Sequence, residues 1–574
     1  METSNFNELN EYISKLDNKE EYLIHILRKA QEIFGSIPKE IQIYIHNKTG
    51  IPLSKIYGVS TFYPFFNLTL KETELSPQEI QEVKSPILNN NPKQTKNILK
   101  ICEQVNPEDI KSYIELGGYG GLRKALNMTH LQILDELEIS KLRGRGGAGF
   151  PVWKKWEDVY KQISSEKYVI CNGNESESYS FKDFYLLYNS PQTIIEGLII
   201  AGYTVRANKG FIFIRSNYAG ILNRLELALK QARESNFLGE NIMGTGFSFD
   251  IEIRFGAGAY VSGEETALIQ SLIGNRGEPS QKPPYIFQKG YKGKPTVLNN
   301  VETLANIPYL LINGGENYSK IGTNTSTGTK IITLLGNVKI PGIVEVPMGI
   351  TIKELIEDIG GGTASGEPIK GIQSDGTVGQ FIMEKNFDRK VEIDNMVNIK
   401  SFIGFNGIKV LDKNDSIVTA VKDSVEFLMN ASCGKCTPCR IGNRRIYELL
   451  EKLLDGHGTM SDIDMIKEIS TSMKLGSICG LGKSIQIPII TAMDEFWDEF
   501  ETKTIDNKII PPNSLIHNFY DINDKCIGCG ACSLVCPVLC IEGHIREKYK
   551  IDHFRCIKCN KCYEVCNFEA IDRS

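Results

Sequence analysis

Eight cysteines near the C-terminus constrain this chain more than any other feature. Cys526, Cys529, Cys532 and Cys536 stand as C-x2-C-x2-C-x3-C with Pro537 directly after, and Cys556, Cys559, Cys562 and Cys566 repeat the spacing. Two such runs are the pattern that wraps two [4Fe–4S] clusters, each run giving three thiolates to one cluster and its fourth to the other. The spacing therefore predicts one cluster on Cys526, Cys529, Cys532 and Cys566, and a second on Cys556, Cys559, Cys562 and Cys536. C-x2-C pairs also bind zinc, but zinc sites have no reason for a crossed fourth cysteine. A chain that builds two low-potential iron–sulfur centres side by side moves electrons.

The bulk numbers fit that reading. A length of 574 residues implies several domains, and 41% hydrophobic residues can fill several cores. The net charge of −5 is small and the basic residues are dispersed, which speaks against a nucleic-acid partner. No apolar run approaches the ~18 residues of a membrane span. The polar N-terminus has no signal-peptide core. Fifteen cysteines, clustered at metal spacings, point to a reducing, cytoplasmic setting.

Along the chain, residues 1–75 read as helical, with Leu23, Ile26, Leu27, Ala30 and Ile33 on one stripe and Gly35 and Pro38 stopping that helix. Residues 76–104 read as a linker containing Pro77, Pro86 and Pro92. Residues 105–325 begin with helices and then alternate β-branched strands with helical stretches, as an α/β domain does. Residues 326–415 suggest a small β-grasp-like α+β module. Residues 416–510 have helical periodicity, and 515–574 form the cluster-binding tail.

Two further constellations carry chemistry. Gly144, Arg145, Gly146, Gly147, Ala148, Gly149 and Phe150 form a loop whose glycines let backbone approach an anionic ligand. It lacks the endings of a Walker loop and the preceding strand of a Rossmann fingerprint, and alone it is also compatible with a tight turn. Cys433, Cys436 and Cys439, with Cys479 forty residues on in S-I-C-G-L-G, suit a third [4Fe–4S] cluster, a zinc knuckle being the alternative.

The ordered motifs L-R-G-R-G-G-A-G-F-P, C-N-G-N-E-S-E, G-A-G-A-Y-V-S-G-E-E-T-A-L, G-E-P-S-Q-K-P-P, N-N-V-E-T and S-C-G-K-C-T-P-C-R identify a resemblance. Over residues 105–500 the chain resembles the NADH- and FMN-binding (51 kDa-type) subunit of respiratory complex I. With its two-cluster tail it is most similar to the flavin subunits of multimeric [FeFe]-hydrogenases and NAD-linked formate dehydrogenases. The resemblance implies an FMN-binding α/β domain, an SLBB β-grasp domain, a helical [4Fe–4S] domain and a ferredoxin domain. Its cofactors would be FMN, NAD(H) and three [4Fe–4S] clusters.

The resemblance also implies roles. FMN would lie over Gly144, Arg145, Gly146 and Gly147, with Lys155, Asn299, Asn300 and Thr303 on its phosphate and ribityl chain. Asn172, Asn174 and Glu175 would contact the flavin ring and ribityl chain, and Tyr260, Gly263 and Glu264 would line the other side. Phe150, Glu177 and Glu265 would hold NADH, with Lys282 at a nucleotide phosphate. No side chain is assigned a catalytic role, because the flavin carries the hydride chemistry.

Several positions depart from the family pattern. Asn174 stands where an Asp is usual, Ser178 and Tyr179 where a Pro-Gly pair is usual, and Ser262 where a Cys is common. Glu157 and Asp158 follow Trp156 where a second aromatic is expected. A tyrosine replacing glycine is expected to narrow the nicotinamide site or impose a different turn. Residues 1–75 resemble the helical start of the 24 kDa-type partner subunit. Only Cys102 lies between Met1 and Ile170, so that partner's [2Fe–2S] site is not expected here, and the fragment reads as a docking or packing element. Cys102, Cys171 and Cys540 read as plain thiols.

Three functions follow as alternatives. In the first, hydride passes between NAD(H) and FMN, and single electrons pass through [4Fe–4S] clusters to partner subunits. The second couples NAD(H) and ferredoxin to a hydrogenase or formate dehydrogenase by bifurcation. The third is an electron-wiring scaffold with a degraded NADH site. Expected partners are a thioredoxin-fold [2Fe–2S] subunit and a hydrogenase- or dehydrogenase-type catalytic subunit, with ferredoxin added in the second case.

Overall fold

The computed structural model describes residues 3–69, 91–175, 179–215, 220–393, 405–505, 520–538, 540–553, 556 and 561–573. The chain divides into two compact units, Met1–Ile505 and Asp506–Ser574. Of the expected site residues, Glu177, Ser178 and Cys559 lie outside the described residues, as do Pro77 and Pro86.

The first unit opens with four helices: α1 (Thr3–Ser14), α2 (Leu23–Phe34), α3 (Lys39–Thr49) and α4 (Leu53–Phe62). Leu23, Ile26, Leu27 and Ala30 are fully buried, and Ile33 packs at the edge of the same core, as the periodicity predicts. Gly35 ends α2 at φ 76°, a left-handed conformation that glycine adopts without a Cβ clash. These helices share a core with Ala257, Ala259, Val261 and Ala267 of the α/β domain. Three polar contacts pin them there. Arg254, 2% exposed, pairs with Glu21 at 2.8 Å, Tyr22 donates to Glu252 at 2.5 Å, and Tyr63 donates to the Asn275 carbonyl at 2.8 Å. The fragment is thus built into the domain surface.

The α/β domain has four parallel strands, β1 (Tyr168–Gly173), β2 (Lys209–Arg215), β3 (Asp250–Gly256) and β4 (Thr296–Asn300), in the order β3-β2-β1-β4. Their near-continuous buried runs suit a sheet covered on both faces, here by helices such as Pro191–Val205 and Val301–Asn313. The chain adds β2 and β3 on one side of β1, then returns to place β4 on the other. The switch point between β1 and β4 opens a crevice beyond their carboxyl ends, where ligands of such sheets bind.

A five-stranded sheet follows, built from β5 (Thr329–Gly336), β6 (Gly342–Pro347), β7 (Ile369–Ser374), β8 (Phe381–Met383) and β9 (Gly407–Asp412), in the order β6-β5-β9-β7-β8. Only β5 and β9 pair in parallel. Helices Ile417–Ala431, Thr437–Leu454, Met460–Gly476 and Gln486–Glu495 complete the unit around their own core. No helix among the described residues is long and apolar enough to cross a membrane.

The stretch expected to be a linker differs from that reading at its C-terminal end. Leu99–Gln104 is helical, and Ile98, Leu99 and Cys102 enter the main core. Glu345 on β6 accepts from the Ile98 and Leu99 amides at 2.9 and 2.8 Å and from Thr329 at 2.6 Å. A partner distant in sequence supplies the helix with its N-terminal acceptor, and local composition could not reveal that.

The second unit is held by two small antiparallel ladders, Tyr520–Ile522 with Ile571–Arg573 and Ile541–Glu542 with Lys550–Ile551. Each cysteine run leads into a short helix, Ala531–Leu534 or Lys561–Val565. The core mixes Tyr520, Ile522, Ile541, Tyr549, Ile551 and Ile571 with Cys532, Cys536, Cys540 and Cys562.

Candidate functional site

The crevice at the β1/β4 switch collects most of the expected flavin residues. Asn172 lies opposite Asn300 in the β1–β4 register, and Asn299 is its neighbour on β4. Gly146 packs so closely on this strand end that a Cβ there would stand 2.8 Å from the Asn300 Cβ, which is why glycine is required. The Arg145 amide donates to Thr303 Oγ1 at 2.9 Å, and the Gly144 amide donates to the Phe150 carbonyl at 2.9 Å, closing the loop on itself. Phe150 stays 46% exposed at the rim, where its ring can stack on a planar group.

Arg145 has a different task from the one its motif suggests. Its guanidinium is 2% exposed and donates to the carbonyls of Arg143, Thr327 and Thr329. The side chain ties the glycine loop to the start of β5, so only backbone at this position faces the crevice.

Lys155 is half-buried on the helix Val152–Tyr160 and donates to the Leu298 carbonyl at 3.0 Å. Burial lowers its pKa, and it forms no ion pair among the described residues. A desolvated ammonium beside amide donors fits an anionic phosphate. Asn299 accepts from the indole of fully buried Trp156 at 2.8 Å, which fixes the amide orientation. Glu157 and Asp158, which stand in place of the expected aromatic, form ion pairs with Lys154 along that helix.

Asn174 is 8% exposed, and its amide donates to the Ala259 carbonyl at 3.4 Å, which an aspartate could not do. Asn172 donates to the Gly263 carbonyl at 3.0 Å. Glu175 accepts from Ser180 at 2.5 Å and from the Asp183 and Phe184 amides at 3.0 Å each. Burial, with the Asp183 charge behind it, pushes Glu175 up to about 7. Glu264 caps the helix Glu265–Leu272 through the Thr266 and Ala267 amides. Lys282, expected at a nucleotide phosphate, instead bridges Glu264 at 3.1 Å and Glu265 at 2.5 Å. Two carboxylates already answer its charge.

Beneath the crevice runs a buried ionic chain that motif reading missed. Lys182 pairs with Asp183 at 2.6 Å and Glu302 at 3.2 Å, and Glu302 pairs with Lys330 of β5 at 2.6 Å. Asn300 donates to Asp183 at 2.6 Å. Against the penalty of burial, Lys330 and Lys182 hold the Glu302 carboxyl below its ordinary value. The only sequence signal was the Glu of N-N-V-E-T beside the expected Asn300 and Thr303.

Tyr179 is not among the residues in the left-handed region, so the backbone cost expected for replacing glycine is absent. Its carbonyl lies against Gly407 at the start of β9, where a Cβ would come within 2.0 Å. Ser262 is fully buried, so it sits in packing rather than at the rim.

Cys433, Cys436, Cys439 and Cys479 draw together at the head of the helical domain, close enough for Cys436, Cys479 and Cys433 each to act on the Cys439 thiol. Cys439 accepts from Asn443 at 3.4 Å and lies 3.3 Å from the Ser432 hydroxyl. Such donors fit the thiolate sulfurs of a cluster. Lys435 reaches the Pro279 carbonyl at 2.8 Å, and Tyr260 packs edge-on against Phe427, joining this loop and its helix to the crevice wall. In the tail, Cys526, Cys529, Cys532 and Cys566 line one small cavity, the grouping that crossed ligation requires. Cys536, Cys540 and Cys556 meet in a second group. Among the described residues, no three Cys, His, Asp or Glu side chains converge tightly enough for a single ion.

Comparison with known proteins agrees with this division. Residues 137–309 match the Nuo51 FMN-binding domain, 331–382 the SLBB domain, and 419–503 the NADH-ubiquinone oxidoreductase-F iron-sulfur binding region. Residues 9–75 match the thioredoxin-like [2Fe-2S] ferredoxin model, and 525–570 a 4Fe-4S dicluster domain. The chain is 44% identical to the NADP-reducing hydrogenase subunit HndC of Solidesulfovibrio fructosivorans, over 83% of this chain and 98% of that one. It is 41% identical to a subunit of the NADH-quinone oxidoreductase of Aquifex aeolicus, over 70% of this chain and 93% of that one. A crystal structure of an NAD+-reducing [NiFe]-hydrogenase in the H2-reduced state shares the fold, with a TM-score of 0.71 at 23% identity over 88% of this chain and 95% of that one.

Proposed function

The chain belongs to the family of NADH- and FMN-binding, 51 kDa-type electron-transfer subunits of complex I and related hydrogenases, and from that premise we propose how its residues divide the work. It is an NADH dehydrogenase-type oxidoreductase subunit that uses FMN and [4Fe–4S] clusters. FMN, when bound, accepts hydride as an electron pair and releases electrons singly.

Lys155 meets the flavin phosphate with a half-buried positive charge, and the loop Gly144, Gly146 and Gly147 brings backbone against it. Asn299, Asn300 and Thr303 orient the ribityl chain and phosphate from β4 and the helix after it. Asn172, Asn174 and Glu175 face the ring from the end of β1, opposite Tyr260, Gly263 and Glu264. Phe150 stacks on the adenine of NADH, and Glu265, with Glu177, accepts from ribose hydroxyls. Lys282 holds Glu264 and Glu265 in place rather than gripping phosphate. Cys433, Cys436, Cys439 and Cys479 hold the cluster nearest the flavin. The tail holds two more with the crossed ligand sets. Domain limits of 1–75, 105–325, 326–415, 416–510 and 515–574 go with these roles, the packed helix Leu99–Gln104 moving the end of the 76–104 linker to about residue 97.

The observation that carries this reading is the convergence of the glycine loop, Lys155, Asn172 and Asn300 on one strand switch point, with a cysteine loop tied to the same wall. The expected partners are a thioredoxin-fold [2Fe–2S] subunit and a hydrogenase- or dehydrogenase-type catalytic subunit, in the cytoplasm. A separate two-cluster unit also favours a second reading, in which ferredoxin exchanges electrons alongside NAD(H). The scaffold-only alternative rests on Asn174 and on the Ser178–Tyr179 turn, of which Tyr179 alone is among the described residues.

Anaerobic titration of the FMN-loaded chain tests the proposal. NADH should bleach the flavin at micromolar concentration. Retained flavin absorbance at millimolar NADH would return the chain to the scaffold reading, and NADH oxidation that requires ferredoxin would select the second.

A further inference from the structure

The tail holds a cysteine that the crossed pattern leaves unused, and its surroundings make the two halves unequal. Cys540, expected to be a plain thiol, is 2% exposed, and its Sγ lies 3.4 Å from the Sγ of Cys536. Its own amide also points at Cys536 Sγ, at 3.4 Å. The Cys556 side chain is within hydrogen-bonding reach of the same thiol. Cys536 and Cys556 belong to one expected ligand set.

The other half supplies the comparison. Four residues beyond Cys566, the counterpart of Cys536, stands Ala570, whose amide donates to Cys566 Sγ at 3.4 Å. The backbone donor is therefore repeated in both halves. At this position the side chain is a thiol beside Cys536 and a methyl beside Cys566.

We propose that the Cys540 thiol donates an S–H···S hydrogen bond to Cys536 and so raises the reduction potential of the cluster held by Cys536, Cys556, Cys559 and Cys562 above what its ligands alone would set. The proposal rests on the ligand assignment made above. A cluster-bound Cys536 is a thiolate without a proton, so the donor in the pair is Cys540. Reduction adds one electron and no proton, and the added negative charge spreads onto the sulfurs. A donor at one of them stabilises the reduced state more than the oxidised one, and hydrogen bonds to sulfur are among the groups that set such potentials. The bond from Cys540 stays intact through the cycle, so Cys540 is a positioning residue and not a ligand.

The test is anaerobic redox titration of the full chain, followed by low-temperature electron paramagnetic resonance, with iron and sulfide counted in each preparation. Cys540→Ala should move the midpoint of one tail cluster downward and leave the other in place. Cys540→Ser, which keeps a donor, should stay near the native value. Ala570→Cys should move the other tail cluster upward. Unmoved midpoints at native iron content in Cys540→Ala would overturn the proposal, as would equal shifts in Cys540→Ala and Cys540→Ser. If Cys540→Ala does not load iron, the Ser and Ala570→Cys proteins decide by the same criteria. A native tail with fewer than two clusters would overturn both the ligand assignment and this inference.

Discussion

The flavin crevice and the ferredoxin tail solve the same problem, holding a redox group, with opposite materials. The tail has short ladders and a core built partly of the cysteines themselves. Its proposed ligands are soft thiolates, which would let the metal contribute to the fold that holds it. The crevice rests on a parallel sheet and a buried ionic chain, Asp183–Lys182–Glu302–Lys330, made entirely of protein groups. The contrast teaches that a cluster site is specified by spacing, whereas a flavin site is specified by what lies beneath its contact residues.

Four changes sharpen or break this contrast. The largest effect should come from Cys439→Ser. It removes one of the four thiolates proposed to hold the cluster nearest the flavin, and NADH should still bleach the flavin while reduction of the tail clusters stops on the rapid-mixing timescale. Fast tail reduction with that site shown to be empty would mean another route joins the two regions.

Next comes Glu302→Ala, which strands the buried ammonium of Lys330 and leaves Lys182 with Asp183 alone. Breaking a buried ion pair from one side costs about 3–5 kcal/mol. Unfolding of the first unit in urea should shift accordingly, and the tail's cluster spectra should not change. A loss below about 1 kcal/mol would show that the ionic chain is not what supports the crevice.

Lys155→Met keeps the bulk of the side chain and removes its charge. A hydrogen bond to a charged group contributes about 1.5–3 kcal/mol, so FMN affinity should fall roughly 10- to 100-fold by fluorescence titration. Unchanged affinity would move the phosphate away from Leu298.

The smallest effect concerns Glu175. Its folded pKa is raised from 4.5 to about 7, so between those values the native state binds a proton that the unfolded state has released. Stability from this group is therefore lost as pH rises through that window. Glu175→Gln should flatten the fall by at most about 1 kcal/mol per pH unit, measured by denaturation from pH 5 to 7. An unaltered slope would mean Glu175 is ionised throughout.

Legibility in the sequence follows the same line. The cysteine runs, the glycine loop and the motif order are enough to identify the family, the fold classes and the cofactors, because each depends on local spacing. The grouping of Cys566 with Cys526, Cys529 and Cys532 follows from the doubled run. Lys282 illustrates what is not legible. Its charge is visible in the sequence, but its two carboxylate partners are not, because the turn that brings them together is tertiary. Arg145 reads like a ligand-binding arginine within its glycines, yet its partners are carbonyls at the start of another domain. Tyr179 looks costly on propensity alone, and its backbone in place shows no left-handed strain.

The central claim is that one chain takes hydride from NADH at the β1/β4 crevice and delivers single electrons to three [4Fe–4S] clusters. Anaerobic stopped-flow mixing of the reconstituted chain with NADH, sampled in parallel by freeze-quench electron paramagnetic resonance, addresses it directly. The account predicts about twelve irons per chain, flavin bleaching first, and cluster signals that follow at the rate of flavin reoxidation. Bleached flavin beside clusters that stay oxidised, or three zinc ions per chain in place of iron, would contradict it.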